Sequence, residues 1–381
     1  MSMRVLPTWV ATLALCLASA AMAQDDPPAE KGTYVLQGEG GIVTALVLDP
    51  SAPATVYAAT ARGLFKSLDS GVSWRPVGKG LQGHSLLGLA VDPQSPSRLY
   101  ATTDTGGVYR SADGGESWAA SSEGIGARYV GAVAVDPHHK GILYAGAEQG
   151  LVFKSTDAGA TWFEPGPPVA RVTVSTIAFD PVIPNTLYVG TNSEGVLTSA
   201  DGGVTWTRPL GRLKKGSVWT ISAEHASPTV VYAGTHDGLF KSLDHGATWT
   251  PLNKGLKSWN VLSLAFEPSV PSTIYAATAA GIHKTTDGGE NWSLVAPDLY
   301  VSAIAIDPAS PSVLYAGTQL GVLKTGNAGG RWTPLPLSGP KPAGSAESGG
   351  LPALPVKPRA GAPAKPVATQ PALPVKPPGT E

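Results

Sequence analysis

An aspartate set between hydroxyls and closed by a tryptophan recurs along this chain. The copies are SLDSGVSW (67–74), SADGGESW (111–118), STDAGATW (155–162), SADGGVTW (199–206), SLDHGATW (242–249), TTDGGENW (285–292) and a worn TGNAGGRW (325–332). Carboxylates beside hydroxyls are groups that ligate hard cations or move protons. Asp69, Asp113, Asp157, Asp201, Asp244 and Asp287, with Asn327 in the last copy, are therefore the first candidates for chemistry. Their number argues the other way, because a single active site cannot use seven near-identical copies. The acids that do not recur are Asp104, Glu148, Glu194 and Asp237. A glycoside hydrolase needs only two carboxyl groups facing across a groove, but the spacing of these four singles out no pair. They stand as weak catalytic candidates. HExxH, CxxC and phosphate-loop patterns do not occur. His138-His139 reads as a surface turn rather than a pair of ligands, and no metal or cofactor is expected.

The elements that hold these residues follow from the repeat. The aspartate (or Asn327) recurs at steps of 44, 44, 44, 43, 43 and 40 residues. Upstream of each lies a second signature, as in LAVDPQSPSRLYATT, whose acid always stands eight residues before a tyrosine. That fixed gap sets two strands and their turn in register. Each copy holds four short strand-like runs, A to D, separated by turn residues; in the second copy they are LLGLAVD, RLYATT, GVYRSAD and a run beginning at Trp118. Four strands every ~43 residues is the pattern of a propeller blade. The expectation is an all-β, seven-bladed β-propeller of four-stranded antiparallel blades over 33–338. Two segments compete to close the ring, TYVLQ (33–37) and WTPLP (332–336).

Within SADGGESW, Ser111 and Asp113 are expected to fold their oxygens onto backbone N–H groups of the turn. Gly115 supplies the left-handed backbone, and Trp118 reaches into the seam between blades. His283, in a column otherwise apolar, is expected to be packed, and the Lys/Arg column (Lys66, Arg110, Lys154, Lys241, Lys284, Lys324) to be structural. These copies resemble the Asp-box, or BNR, repeat, S-x-D-x-G-x-[ST]-W, over about residues 42–338. That family spans sialidases, endoglucanases acting on xyloglucan, sortilin-type receptors and photosystem II assembly factors. The resemblance implies a propeller whose Asp-boxes sit at the blade periphery, away from catalysis. The sialidase-like motif before the first box is missing from the mature chain, RVLP lying at 4–7, and the long loops of the xyloglucan-cleaving relatives are absent.

Function is then expected where the copies disagree. The D-to-A links hold His84, Arg128, Tyr129, Arg171, Arg212, Lys214, Lys215, Trp259 and Tyr300, and Trp219 stands off-pattern on the fifth A strand. The B-to-C tips hold Arg62, Asp104, Glu148, Glu194, His236 and Asp237. Both sets belong to the face opposite the Asp-boxes, a variable, aromatic and locally basic surface suited to a protein or glycan ligand. The net charge of −1, with 14% charged residues, gives no general attraction to nucleic acid or membrane. Residues 1–23 read as a signal peptide ending at Ala21-Met22-Ala23, leaving a periplasmic or extracellular chain without cysteine. Residues 24–32 read as a linker, and 339–381, with PALPVKP twice, as a disordered extended arm. The expected protein is an exported, monomeric, non-catalytic binding or assembly scaffold; the alternative is a glycoside hydrolase of the sialidase or xyloglucanase type.

Overall fold

A computed structural model describes residues 41–337 except 212, 214, 225, 226 and 228. Residues 1–23 and 24–32, expected as leader and linker, TYVLQ, residues 339–381, expected as an arm, and Arg212 and Lys214 lie outside the described residues. The fold is a seven-bladed β-propeller of four-stranded antiparallel blades. Blade 1 runs Val43–Asp49, Ala52–Thr60, Gly63–Ser67 and Arg75–Val77, and each strand pairs with the next. In blades 3 and 4 strand D shrinks to single bridges, Lys154 with Phe163 and Thr198 with Thr207.

The acid-to-tyrosine gap sets the register. Tyr57 pairs across strand B with Val47 on one side and Lys66 on the other. The acid itself closes the A-to-B turn: Asp92 accepts Gln94 N–H at 2.9 Å and Asp307 accepts Ala309 N–H at 2.9 Å.

The turn word folds as its residue types require. Ser111 Oγ donates to Asp113 Oδ1 at 2.7 Å and accepts Gly115 N–H at 2.9 Å, while Ser117 N–H reaches Asp113 Oδ1 at 2.9 Å. These donors hold the Asp113 carboxyl down at about 2, the Ser117 hydroxyl contributing most. The worn copy keeps all three bonds, Thr325 Oγ1 donating to Asn327 Oδ1 at 2.8 Å and accepting Gly329 N–H at 3.2 Å, with Arg331 N–H on Asn327 Oδ1 at 2.8 Å. Two successive positions in every copy take positive φ, 69° at Gly114 and 86° at Gly115. The first of them is also filled by Ser70, Ala158, His245 and Ala328.

The hydrophobic core is not one mass but seven clusters, each spanning two blades. Trp118 of blade 2 packs with Tyr57 and Leu64 of blade 1, Trp162 with Tyr100 and Val108, and Trp249 with Tyr188 and Val196. Six of these tryptophans are buried and Trp206 is half-buried. The ring closes in the same way: Trp74 of blade 1 packs with Tyr315 and Val322 of blade 7. The last blade takes its D strand, Thr333–Leu335, from WTPLP.

Truncation of one seam tryptophan, Trp162→Ala, removes a large buried side chain from a joint and also the donor to the Ser121 carbonyl at 2.7 Å. The expected loss is about 3–5 kcal/mol. Urea unfolding should show it as a lower midpoint.

Candidate functional site

Strand direction places the B-to-C tips and D-to-A links at one end of the blades and the A-to-B and Asp-bearing turns at the other. One backbone hydrogen bond ties tip to link in six blades. Asp104 N–H bonds Ser85 O at 3.1 Å, Glu148 N–H bonds Tyr129 O at 3.1 Å, Asn192 N–H bonds Thr173 O at 3.0 Å and His236 N–H bonds Ser217 O at 3.1 Å. Ala61 with Ile42 and Ala279 with Asn260 repeat the bond in blades 1 and 6. The two sequence columns therefore merge into one surface, ordered blade by blade.

Each acid has a local partner or stands alone on its own blade. Asp104 Oδ1 accepts Ser85 N–H at 3.3 Å, and Glu148 Oε1 accepts Arg128 N–H at 3.0 Å and Tyr129 N–H at 3.4 Å. Glu194 pairs with Arg208 at 2.8 Å. Asp237, on an exposed tip, has its N–H on Thr235 Oγ1 at 2.9 Å. No hydrogen bond joins any two of the four among the described residues, although Glu194 and Asp237 both border Gly216. A cavity of about 420 Å³ opens on the flank of blade 1, lined by Arg62, Phe65, Pro76, Lys79, Gln82 and Glu116, and none of the four acids reaches it. Among the described residues no three His, Cys, Asp or Glu side chains converge as a metal site.

The cations and aromatics are arranged differently. Arg128, Arg171 and Lys215 are exposed and form no ion pair among the described residues. His84 is half-buried, with Nε2 3.0 Å from the Tyr109 hydroxyl and Nδ1 3.4 Å from Thr105 Oγ1. His236 is exposed beside Asp237. Tyr129, Trp219, Trp259 and Tyr300 are exposed by 36%, 37%, 59% and 39%, too much for core residues. Burial of its ring edge still raises the Tyr129 hydroxyl above its ordinary value.

Trp219 owes its placement to a bulge. Every A strand slips register after its first residue, leaving Thr44, Leu87, Gly131, Ser175, Trp219, Leu262 and Ser302 as the extra residues. A bulge re-aims the side chain it carries. Thr44 uses it to bond the next blade, Oγ1 donating to Leu86 O at 2.8 Å. Trp219 stands there instead and remains exposed. Sequence reading missed two neighbours on this face, Ile42 and Leu320, both exposed. Ile42 lies one residue before its A strand, in the column of Tyr129 and Tyr300, and aligning that column would have found it. Blades 5, 6, 7 and 1 thus carry Trp219, Trp259, Tyr300, Leu320 and Ile42 in succession, and exposed cations stand both among them, at Lys257 and Arg62, and beyond them, at Arg128, Arg171 and Lys215.

No family model matches the chain, and no curated protein matches it by sequence. Solved structures share the fold. A GH74 enzyme of Niastella koreensis superposes with a TM-score of 0.66 at 19% identity, over 77% of this chain and 53% of that one. The GH74 xyloglucanase of Xanthomonas campestris gives 0.64 at 20% identity, over 79% and 54%. YCF48 bound to D1 peptide gives 0.59 at 14% identity, over 78% and 98%. The chain spans about half the length of the GH74 structures it matches. No described helix is long and apolar enough to cross a membrane.

The loop bearing Trp259 hangs on a buried histidine. His283 Nε2 accepts Lys257 N–H at 3.0 Å, and the ring is fully buried. Burial, with the Lys257 charge second, pushes its value down to about 4. An unfolded histidine titrates near ~6.5, so protonation favours the unfolded chain. Stability is complete above that value and is lost as pH falls toward 4, by up to about 3 kcal/mol for a gap of this size. A protonated ring also cannot accept from Lys257. His283→Leu, the residue type of the same column in blades 4 and 7, is expected to narrow the difference in Tm between neutral and mildly acidic buffer.

Proposed function

We propose that this chain is an exported binding or assembly scaffold that captures a partner on the face built from its B-to-C tips and D-to-A links. The observation that carries the reading is the mixture of exposed cations and exposed apolar side chains on that face. Asp104, Glu148 and Glu194 are tied to partners of their own blades, while Arg128, Arg171 and Lys215 are exposed without an ion pair among the described residues, on the same face as exposed aromatic and aliphatic side chains. A surface of this kind fits a protein segment carrying both carboxylates and apolar residues, charge guiding the encounter and aromatic contact holding it. The YCF48 structure bound to D1 peptide supports peptide capture on a propeller of similar fold. On this reading the turn words are Asp-box repeats. Residues 1–23 direct export and are removed, and 339–381 act as a spacer arm.

A hydrolase reading has one observation in its favour, the likeness to a GH74 xyloglucanase. Against it, the four non-repeated acids lie on three different kinds of support: loop N–H groups, an arginine and an exposed tip.

Reversing Arg128, Arg171, Lys214 and Lys215 to glutamate together is expected to weaken capture of an acidic partner in a pull-down while leaving Tm unchanged; undiminished capture would sink the basic-face reading. The mature protein is expected to release no sugar from xyloglucan or fluorogenic glycosides. Turnover abolished by neutralising one of Asp104, Glu148, Glu194 or Asp237 would replace the scaffold reading by the hydrolase.

A further inference from the structure

Six of the seven seams are fastened alike. A strand-B tyrosine hydroxyl donates to the carbonyl at the first left-handed position of the next blade's turn: Tyr57 to Gly114 at 3.1 Å, Tyr100 to Ala158 at 3.2 Å and Tyr144 to Gly202 at 3.0 Å. Tyr232, Tyr275 and Tyr315 reach Gly288, Ala328 and Ser70 in the same way. The residue paired across from each tyrosine is a lysine or arginine. Lys66, Lys241, Lys284 and Lys324 donate to the same carbonyls, and with Lys154 they lie over the tyrosine rings, 5.1–5.4 Å from the centroids. Arg110 takes this place in blade 2, with Nη1 3.5 Å from the Ala158 carbonyl.

The joint between blades 4 and 5 departs from this at every point. Thr198 occupies the cation's position opposite Tyr188, and its buried Oγ1 finds no hydrogen-bond partner among the described residues. Tyr188 turns its hydroxyl to Asp180 Oδ2 of its own blade, at 3.2 Å. The left-handed position of the blade 5 turn is His245, at φ 54°, and its Nδ1 meets the same carboxylate oxygen at 3.1 Å. Asp180 is fully buried.

We propose that the blade 4–blade 5 joint is the place where this ring opens, and that proton uptake by His245 tightens it against Asp180. A neutral imidazole with hydrogen on Nδ1 donates one hydrogen bond; the imidazolium adds attraction to a buried carboxylate. Histidine is the side chain that changes charge between about pH 5 and 8. Burial alone would raise the Asp180 carboxyl, but the Ile183 and Val182 N–H groups, His245 and Tyr188 outweigh it, and it is held below the usual carboxylate range. The anion is therefore present throughout the window. The other groups about the joint are Tyr188, the His138 ring on the Asp180 carbonyl at 2.8 Å, and Asp244, whose oxygens are taken by Ser242, Thr248 and its own turn. In the other six seams a lysine or arginine stands where Thr198 does.

Hydrogen exchange followed by mass spectrometry on the full chain tests this. At about pH 8 the amides of 180–188 and 242–249 should exchange about tenfold faster than their counterparts in the other seams, after correction for intrinsic rates. That is the change in an opening equilibrium expected from one charge-assisted hydrogen bond. At about pH 5.5 the gap should close. Thr198→Lys with His245→Gly rebuilds the common fastener and relieves the left-handed histidine; exchange there should fall to the level of the other seams and lose its pH dependence. Lys284→Thr should open the blade 6–blade 7 joint instead, and it reads out the role of the cation even if the double variant fails to fold. Uniform exchange over the seven seams, or another seam opening first, overturns the proposal. So does pH dependence that survives in the double variant, which would move the effect to His138.

Discussion

The structure depends on one contact repeated around the ring, a tyrosine and a tryptophan that meet across each seam over a left-handed turn. A propeller blade is a twisted sheet with two faces to cover, and its only partners are the neighbouring blades. Each seam is therefore both the core of the protein and its joint. The turn is shaped so that one carbonyl faces backwards to the tyrosine of the preceding blade while the tryptophan that ends the word fills the space beside it. This geometry requires two consecutive residues with positive φ, and the second is glycine in all seven copies. The aspartate is bound up in the turn itself. It gathers the N–H and hydroxyl groups of a turn that would otherwise hold unsatisfied donors.

Because the seams bear the fold, the opposite end of the blades is free to vary. Its tips and links need only the backbone bond between them, which makes no demand on side-chain type. The residues placed there can differ from blade to blade at little cost, and they do, giving exposed aromatic side chains and exposed cations on one face. The same freedom extends to the A-strand bulge, which serves as an interblade clamp at Thr44 and as a display point at Trp219.

Tolerance has a limit at the seams. Thr198 and His245 are compatible with the blade only because Asp180, a turn-closing acid, is within reach to replace the lost tyrosine and lysine contacts. The tryptophan cluster at that joint is intact, so the polar part of the fastening is what differs.

The sequence by itself determined the blade count, the strand order, the role of the turn word and the packing of His283. These rest on short-range rules, namely residue spacing, turn chemistry and the alternation of buried positions, which repeat seven times and so average out local noise. It also separated the variable face from the fixed one. It left open which segment closes the ring; Thr333–Leu335 supplies the last strand because it is already paired with its own blade. Nor could it show that Tyr188 abandons the next blade for Asp180, or which partners the four acids take. Both are decided by partners distant along the chain, 65 residues apart for His245 and Asp180. Direction and distance between such residues exist only once the blades have closed on one another.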